Sequence, residues 1–336
     1  MKIAILSPVA WRTPPRHYGP WEQVASNIAE GLVEKGMDVT LFATKDSITS
    51  GKLKAVIPVG YEEDKSVDSK IAECLHISNL MEHAQSFDII HNNFDFLPLT
   101  YSTFIKTPMV TTIHGFSSTR IIPVFKKYNK NNYYVSISNS DRSPELKYTA
   151  TVYNGIDPTQ FTFTPESADY LLFFGRIHPD KGTWEAIQIA KKAKRRLIIS
   201  GIVHDQHYFN EKILPHINKE DILYVGSSGP AQRDELMGKA FALLHPINFE
   251  EPFGLSVSEA MFCGTPVIAF RRGSMSELIE NEKTGFLVNT VEEAVESVQL
   301  THRIQRIYCR QWAELHFSKE KMVSDYMAVY DKILNK

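Results

Sequence analysis

Short apolar runs alternate with longer amphipathic stretches along this chain. A first series comprises Ile3–Leu6, Val39–Ala43, Asp88–His91, Met109–His114, Tyr133–Ser138 and Thr151–Tyr153. A second comprises Tyr170–Phe174, Leu197–Ser200, Ile222–Val225, Phe241–His245, Pro266–Phe270 and Gly285–Val288. Most runs lack polar alternation, the pattern of strands covered on both faces. Helical stretches such as Trp21–Glu34 and Thr183–Lys194 lie between them. This alternation predicts an α/β fold with doubly wound parallel sheets. About twelve strands are too many for one comfortable sheet and suit two sheets of six.

The segment Asp157–Ala168 carries Pro158 and Pro165 without a helical pattern, so a domain boundary falls there. The expected organisation is an N-terminal Rossmann-like domain over 1–163 and a second over 164–317. In the remainder, 318–336, Met322, Val323, Tyr326, Met327, Tyr330 and Ile333 recur at helical spacing. They predict an amphipathic C-terminal helix.

Length agrees with this division, because 336 residues suit two domains. With 43% hydrophobic and 23% charged residues the composition is globular, which excludes disorder along the whole chain. A net charge of −2, from 37 basic and 39 acidic residues, argues against a nucleic-acid partner. No run reaches the roughly 18 apolar residues of a membrane span. The opening run breaks at Pro8, has no cleavage site, and reads as a first strand rather than a signal peptide. Cys74, Cys263 and Cys309 are odd in number and far apart, so neither a disulfide framework nor a zinc site follows. The expected setting is cytoplasmic. The basic aromatic stretch Phe125–Tyr134 offers peripheral membrane contact as an alternative, but reads better as a solvated loop.

Three loops carry candidate chemistry. After the first run, Gly19 permits close backbone approach and Pro20 suits the first turn of a helix. A helix N-terminus at the carboxyl end of a strand favours an anion. In the second half, Phe174-Gly175-Arg176 leads to Lys181-Gly182 before the next helix. Two cations there suit a diphosphate, Arg through its fork and Lys as a mobile point charge. Two surface cations on a solvated loop are the alternative.

The most informative stretch is Phe249–Val267. Pro252 and Gly254 make a turn, and a helix is predicted from about Leu255 to Phe262, stopped by Gly264 and Pro266. Its first-turn amides, near Gly254, Leu255 and Ser256, form a second anion site. Glu251 precedes that helix, and Glu259 lies one turn inside it on the face of Ser256. Two ionised carboxylates flanking an anion site match sugar hydroxyls, diphosphate and ribose hydroxyls in turn. That is the layout of a nucleotide sugar.

These pieces together resemble retaining glycosyltransferase family 4 over nearly the whole chain. They run in family order: Tyr18–Glu22, Ile113-His114-Gly115, Val135–Ser138, Tyr153–Asp157, Phe174–Arg176 with Lys181-Gly182, Glu251–Glu259, Cys263–Pro266, Gly273 with Glu277, and Thr284–Leu287. The Asp46–Leu53 stretch and the Glu-Pro-Phe-Gly form are similar to the branch that includes an avilamycin-pathway glycosyltransferase. The resemblance implies a GT-B fold, two Rossmann-like domains facing an interdomain cleft, with the C-terminal helix crossing back to the first. It implies a hexose donor (a UDP-sugar first, GDP-mannose second), a carbohydrate or other hydroxyl acceptor, retention of configuration and no cofactor. Arg176 and Lys181 would bind the diphosphate, Glu251 the donor sugar, and Glu259 the ribose. The amides of Phe253–Ser256 would meet phosphate or sugar, and Gly19 would approach the phosphate. His114 would stand at the reaction centre, with Asn154 and His91 on the acceptor side. Pro20 stands where many members have a second glycine. No Asp-x-Asp metal pair is present, since Asp95 has no partner at that spacing, so metal independence is expected. A nucleotide-sugar epimerase or hydrolase on the same fold, and a non-catalytic sugar-nucleotide-binding subunit, are the alternatives.

Overall fold

A computed structural model describes residues 1–116, 118–218 and 220–335. It divides into two compact units, Met1–Gly155 with Lys319–Lys336, and Ile156–Ser318. The division precedes residue 163 because Ile156 is already tied into the second unit. Its N–H donates to the Phe317 carbonyl at 2.8 Å, and it forms a β-bridge with Ser318.

The first unit holds seven strands: β1 (Lys2–Leu6), β2 (Asp38–Phe42), β3 (Lys52–Lys54), β4 (Ile89–Asn92), β5 (Met109–Ile113), β6 (Asn132–Ser136) and β7 (Tyr148–Thr151). They pair in parallel in the order β3-β2-β1-β4-β5-β6-β7. Ile3, Ala4, Ile5 and Leu6 are all fully buried, as their unbroken apolar run requires in a sheet covered on both faces. Helices α1 (Pro20–Glu34), α2 (Ser69–Met81) and α3 (Ile122–Tyr128) connect the strands. Two expectations need correction. The sheet has seven strands rather than six, because Lys52–Lys54 adds an edge strand whose basic residues are solvated. The last strand is Tyr148–Thr151 rather than Thr151–Tyr153; it too is an edge strand, half-buried throughout.

The second unit holds β8 (Tyr170–Phe174), β9 (Arg196–Ser200), β10 (Ile222–Tyr224), β11 (Ala242–His245), β12 (Val267–Phe270) and β13 (Gly285–Val288). Their parallel order is β10-β9-β8-β11-β12-β13. The helices here are α4 (Thr183–Ala193), α5 (Gln206–Tyr208), α6 (Pro230–Lys239), α7 (Leu255–Phe262), α8 (Met275–Leu278), α9 (Val291–Leu300) and α10 (Arg306–Phe317). Arg306 ties α10 down by donating to the carbonyls of Thr164, Gly238 and Ala240.

The final helix, α11 (Lys319–Leu334), belongs to the first unit. It buries Met322, Val323, Tyr326, Tyr330 and Ile333, five of the six apolar positions that its periodicity singled out. Gly31 of α1 makes room for it, since a Cβ there would lie 2.4 Å from Val323 Cγ2. Tyr326 and Tyr330 reach the sheet. Tyr326 Oη and Thr112 Oγ1 are 2.7 Å apart, Thr112 Oγ1 is 2.7 Å from His91 Nε2, and His91 Nδ1 is 2.7 Å from Tyr330 Oη. Among the described residues, no helix is long and apolar enough to cross a membrane.

Candidate functional site

Open parallel sheets bind ligands at the carboxyl ends of strands, where the strand order reverses. In the second unit that point lies between β8 and β11, and the loops after both strands carry charged side chains. The loops are laced together. Asn248 N–H donates to the Asp180 carbonyl at 2.7 Å, and its side-chain amide to the Pro179 carbonyl at 3.2 Å. Gly182 has φ 73°, and a Cβ on it would lie 1.8 Å from the Pro246 carbonyl oxygen, so only glycine fits.

This lacing brings Lys181 to Glu251. Lys181 Nζ lies 2.5 Å from Glu251 Oε2 and 4.6 Å from the centre of the Phe249 ring. His245, at the end of β11, places Nε2 3.7 Å from the same oxygen, outside hydrogen-bond range. Burial pushes the Glu251 carboxyl up, but neighbouring His245 and Lys181 outweigh it and hold the group below the usual carboxylate range. Burial pushes the His245 ring down, against the opposing pull of Glu251. Arg176 follows β8 and is half-buried; among the described residues its guanidinium has no hydrogen-bond or ionic partner.

The Glu251 segment is clamped from below. Gly273 packs so closely that a Cβ would be 2.3 Å from both the N and O of Glu251. Ser274 donates its N–H to the Glu251 carbonyl at 2.9 Å and its hydroxyl to the Phe253 carbonyl at 2.5 Å. Gly254, at φ 94°, opens α7 with no side-chain cap, which leaves the first-turn amides of Leu255 and Ser256 to an outside acceptor. Glu259 is not among the Lys181 group. It is 7% exposed, and its Oε1 pairs with Arg233 NH1 of α6 at 3.0 Å.

In the first unit the strand order reverses between β1 and β4. Gly19 precedes α1 at φ 149°, where a Cβ would be 2.9 Å from Pro15 Cβ and 3.0 Å from Glu22 Oε2. The glycine is thus required by its own loop. Glu22 is 3% exposed and accepts from the Trp11 N–H at 3.1 Å; burial raises its carboxyl to about 7. Trp21 stacks on His114, with ring centres 5.5 Å apart. His114 Nε2 is 3.1 Å from Asn93 Oδ1, and burial lowers the ring to about 3, so it is neutral. His114 Nδ1, Asn93 Nδ2 and Asn154 Oδ1 are buried without protein partners. His91 is different: both of its ring nitrogens are engaged in the α11 network. Sequence reasoning missed Asn93, His245 and Arg233. Each is a single residue at a strand end or on a helix, outside any motif.

Residues 159–314 match the family model described as glycosyl transferases group 1. An uncharacterized glycosyltransferase of Methanocaldococcus jannaschii is 23% identical over 86% of this chain and 85% of its own length. The family-model match falls within the second unit, and the likeness to the Methanocaldococcus protein extends over both units. Among solved structures, the chain is similar to a glycosyltransferase involved in avilamycin A biosynthesis, at a TM-score of 0.75 and 22% identity, covering 100% of this chain and 98% of the other. It is also similar to Anabaena HepE in complex with UDP and glucose, at 0.71 and 19% identity over 99% and 100% of the two chains. Both likenesses are to the GT-B fold, which the chain has in its two parallel sheets. Several other curated relatives match over half of their own length or less.

Proposed function

We propose that this chain is a glycosyltransferase that moves a hexose from a nucleoside-diphosphate sugar to a hydroxyl acceptor, with retention of configuration and without a metal. The observation that carries the reading is the charge arrangement after β8 and β11. Among the described residues, Arg176 is a half-buried cation without an anion, and Lys181 has as its ionic partner a carboxylate that itself suits sugar hydroxyls. A diphosphate arriving on Arg176 and the α7 amides draws Lys181 away from Glu251 and leaves that carboxylate free to accept from the sugar. Negative charge that develops on the departing diphosphate then meets fixed donors in a water-poor pocket. Those cations supply what a metal supplies elsewhere. His114 is neutral and offers one ring nitrogen to a sugar hydroxyl, as a positioning group rather than a base.

UDP-sugar is the first choice of donor, because the HepE structure of the same fold holds UDP and glucose. GDP-mannose is the second. A thermal-shift series with UDP, GDP and their sugars tests the reading, since a ligand that binds the native state raises the melting temperature. A shift with neither nucleotide overturns it. Donor turnover without any acceptor identifies a hydrolase or epimerase instead. Activity abolished by chelator and restored by Mg²⁺ removes the metal-independent assignment.

A further inference from the structure

Arg233 of α6 has no place in the motifs that define the site, yet it is the ionic partner of Glu259. The pair is sheltered: side-chain exposure is 19% for Arg233 and 10% for Glu259, with N and O 3.0 Å apart. The guanidinium also lies over the Phe161 ring, 4.9 Å from its centre. Its Nε is buried and without a hydrogen-bond partner. The fork is therefore only half used. Only Oε1 of Glu259 is engaged by Arg233, and that carboxylate stands on the same face of α7 as Ser256, one turn from the helix start.

We propose that Arg233 is a positioning residue for the nucleoside: by holding one oxygen of Glu259 it turns the other oxygen toward the ribose hydroxyls. The inference rests on the donor-site reading above. Burial pushes the Glu259 carboxyl up, and Arg233 opposes that push without cancelling it. A protonated or rotated Glu259 no longer presents two lone-pair directions to a vicinal diol. The planar guanidinium, seated over Phe161, sets which way the carboxylate faces. Arg233 thus acts on ribose through Glu259 and does not touch the reacting bond.

The decisive readout is the ratio of dissociation constants for 2′-deoxy-UDP and UDP, measured by calorimetry on the full chain, with the guanine pair in parallel. Wild type is expected to favour the ribonucleotide about tenfold, near 1.4 kcal/mol. In Arg233→Met that ratio falls toward one while the melting temperature shows an intact fold. In Glu259→Gln the ratio also falls, and the double variant is no worse than either single one, because both act on one contact. Arg233→Leu, which removes every donor to the carboxylate but keeps an apolar body against Phe161, serves if the Met variant does not fold. A wild-type ratio in a folded Arg233 variant overturns the proposal and leaves the donor-site reading standing. Absence of UDP and GDP binding by wild type overturns the donor-site reading itself. Equal wild-type affinity for ribo and deoxy forms removes Glu259 from the ribose and this proposal with it.

Discussion

Lys181 and Glu251 are opposite charges that satisfy each other only because both are sheltered from water. Removing one leaves the other buried with no partner within hydrogen-bond reach, since His245 stands at 3.7 Å. Lys181→Ala and Glu251→Ala should each lower turnover about 100-fold. Each should also cost about 1–3 kcal/mol of stability, and the double variant should cost less than the sum. Near-normal turnover in either single variant, by coupled assay, takes that residue out of the site. Glu22 gives a second prediction. Its carboxyl sits at about 7 in the fold against 4.5 in the open chain, through burial. A raised carboxyl contributes fully below pH 4.5, and the contribution is lost as pH rises through 7, by about 3 kcal/mol at the limit. Glu22→Gln should therefore melt higher than wild type at pH 8 and nearly with it at pH 4.5; an equal difference at both refutes the assignment. Lys181 and Glu251 were legible because each sits beside turn-forming Gly or Pro ahead of a helix. Asn93, His245 and Arg233 were not, since contacts made across the fold leave no local pattern.

At the scale of elements, close backbone approach and tyrosine anchoring do the positioning. Gly182→Ala forces a methyl into the Pro246 carbonyl and spreads the two loops that join Lys181 to Glu251. The expected cost is about 2–4 kcal/mol, with weaker UDP binding in calorimetry. Tyr330→Phe leaves His91 Nδ1 buried and unsatisfied, for about 1–3 kcal/mol by denaturant titration. UDP affinity should not change, because Tyr330 belongs to the other unit. Central strands and α11 could be read from the sequence, since burial imposes either a continuous apolar run or a 3.6-residue stripe. The edge strand Lys52–Lys54 could not, because its pairing satisfies backbone groups while its side chains face water.

At the scale of the molecule, each unit has its own sheet and its own buried core. The continuous segment 156–318 should fold alone, with a cooperative thermal transition and a shift on adding UDP. The segment 1–155 alone lacks α11, so the sheet loses the Tyr326 and Tyr330 contacts and should aggregate; a sharp, soluble transition for it contradicts this account. Two similar α/β halves were legible from strand count and spacing. The exact crossing was not, because Ile156 is assigned by hydrogen bonds to Phe317 and Ser318, far along the chain.

The placement of α11 also bears on how the protein is made. Its second unit is an uninterrupted stretch of chain, while the first waits for its last eighteen or so residues. On the ribosome the later-encoded unit has everything it needs before the earlier one does. A premature stop just after Ser318 would spare the unit proposed to hold the donor and cripple the one translated first.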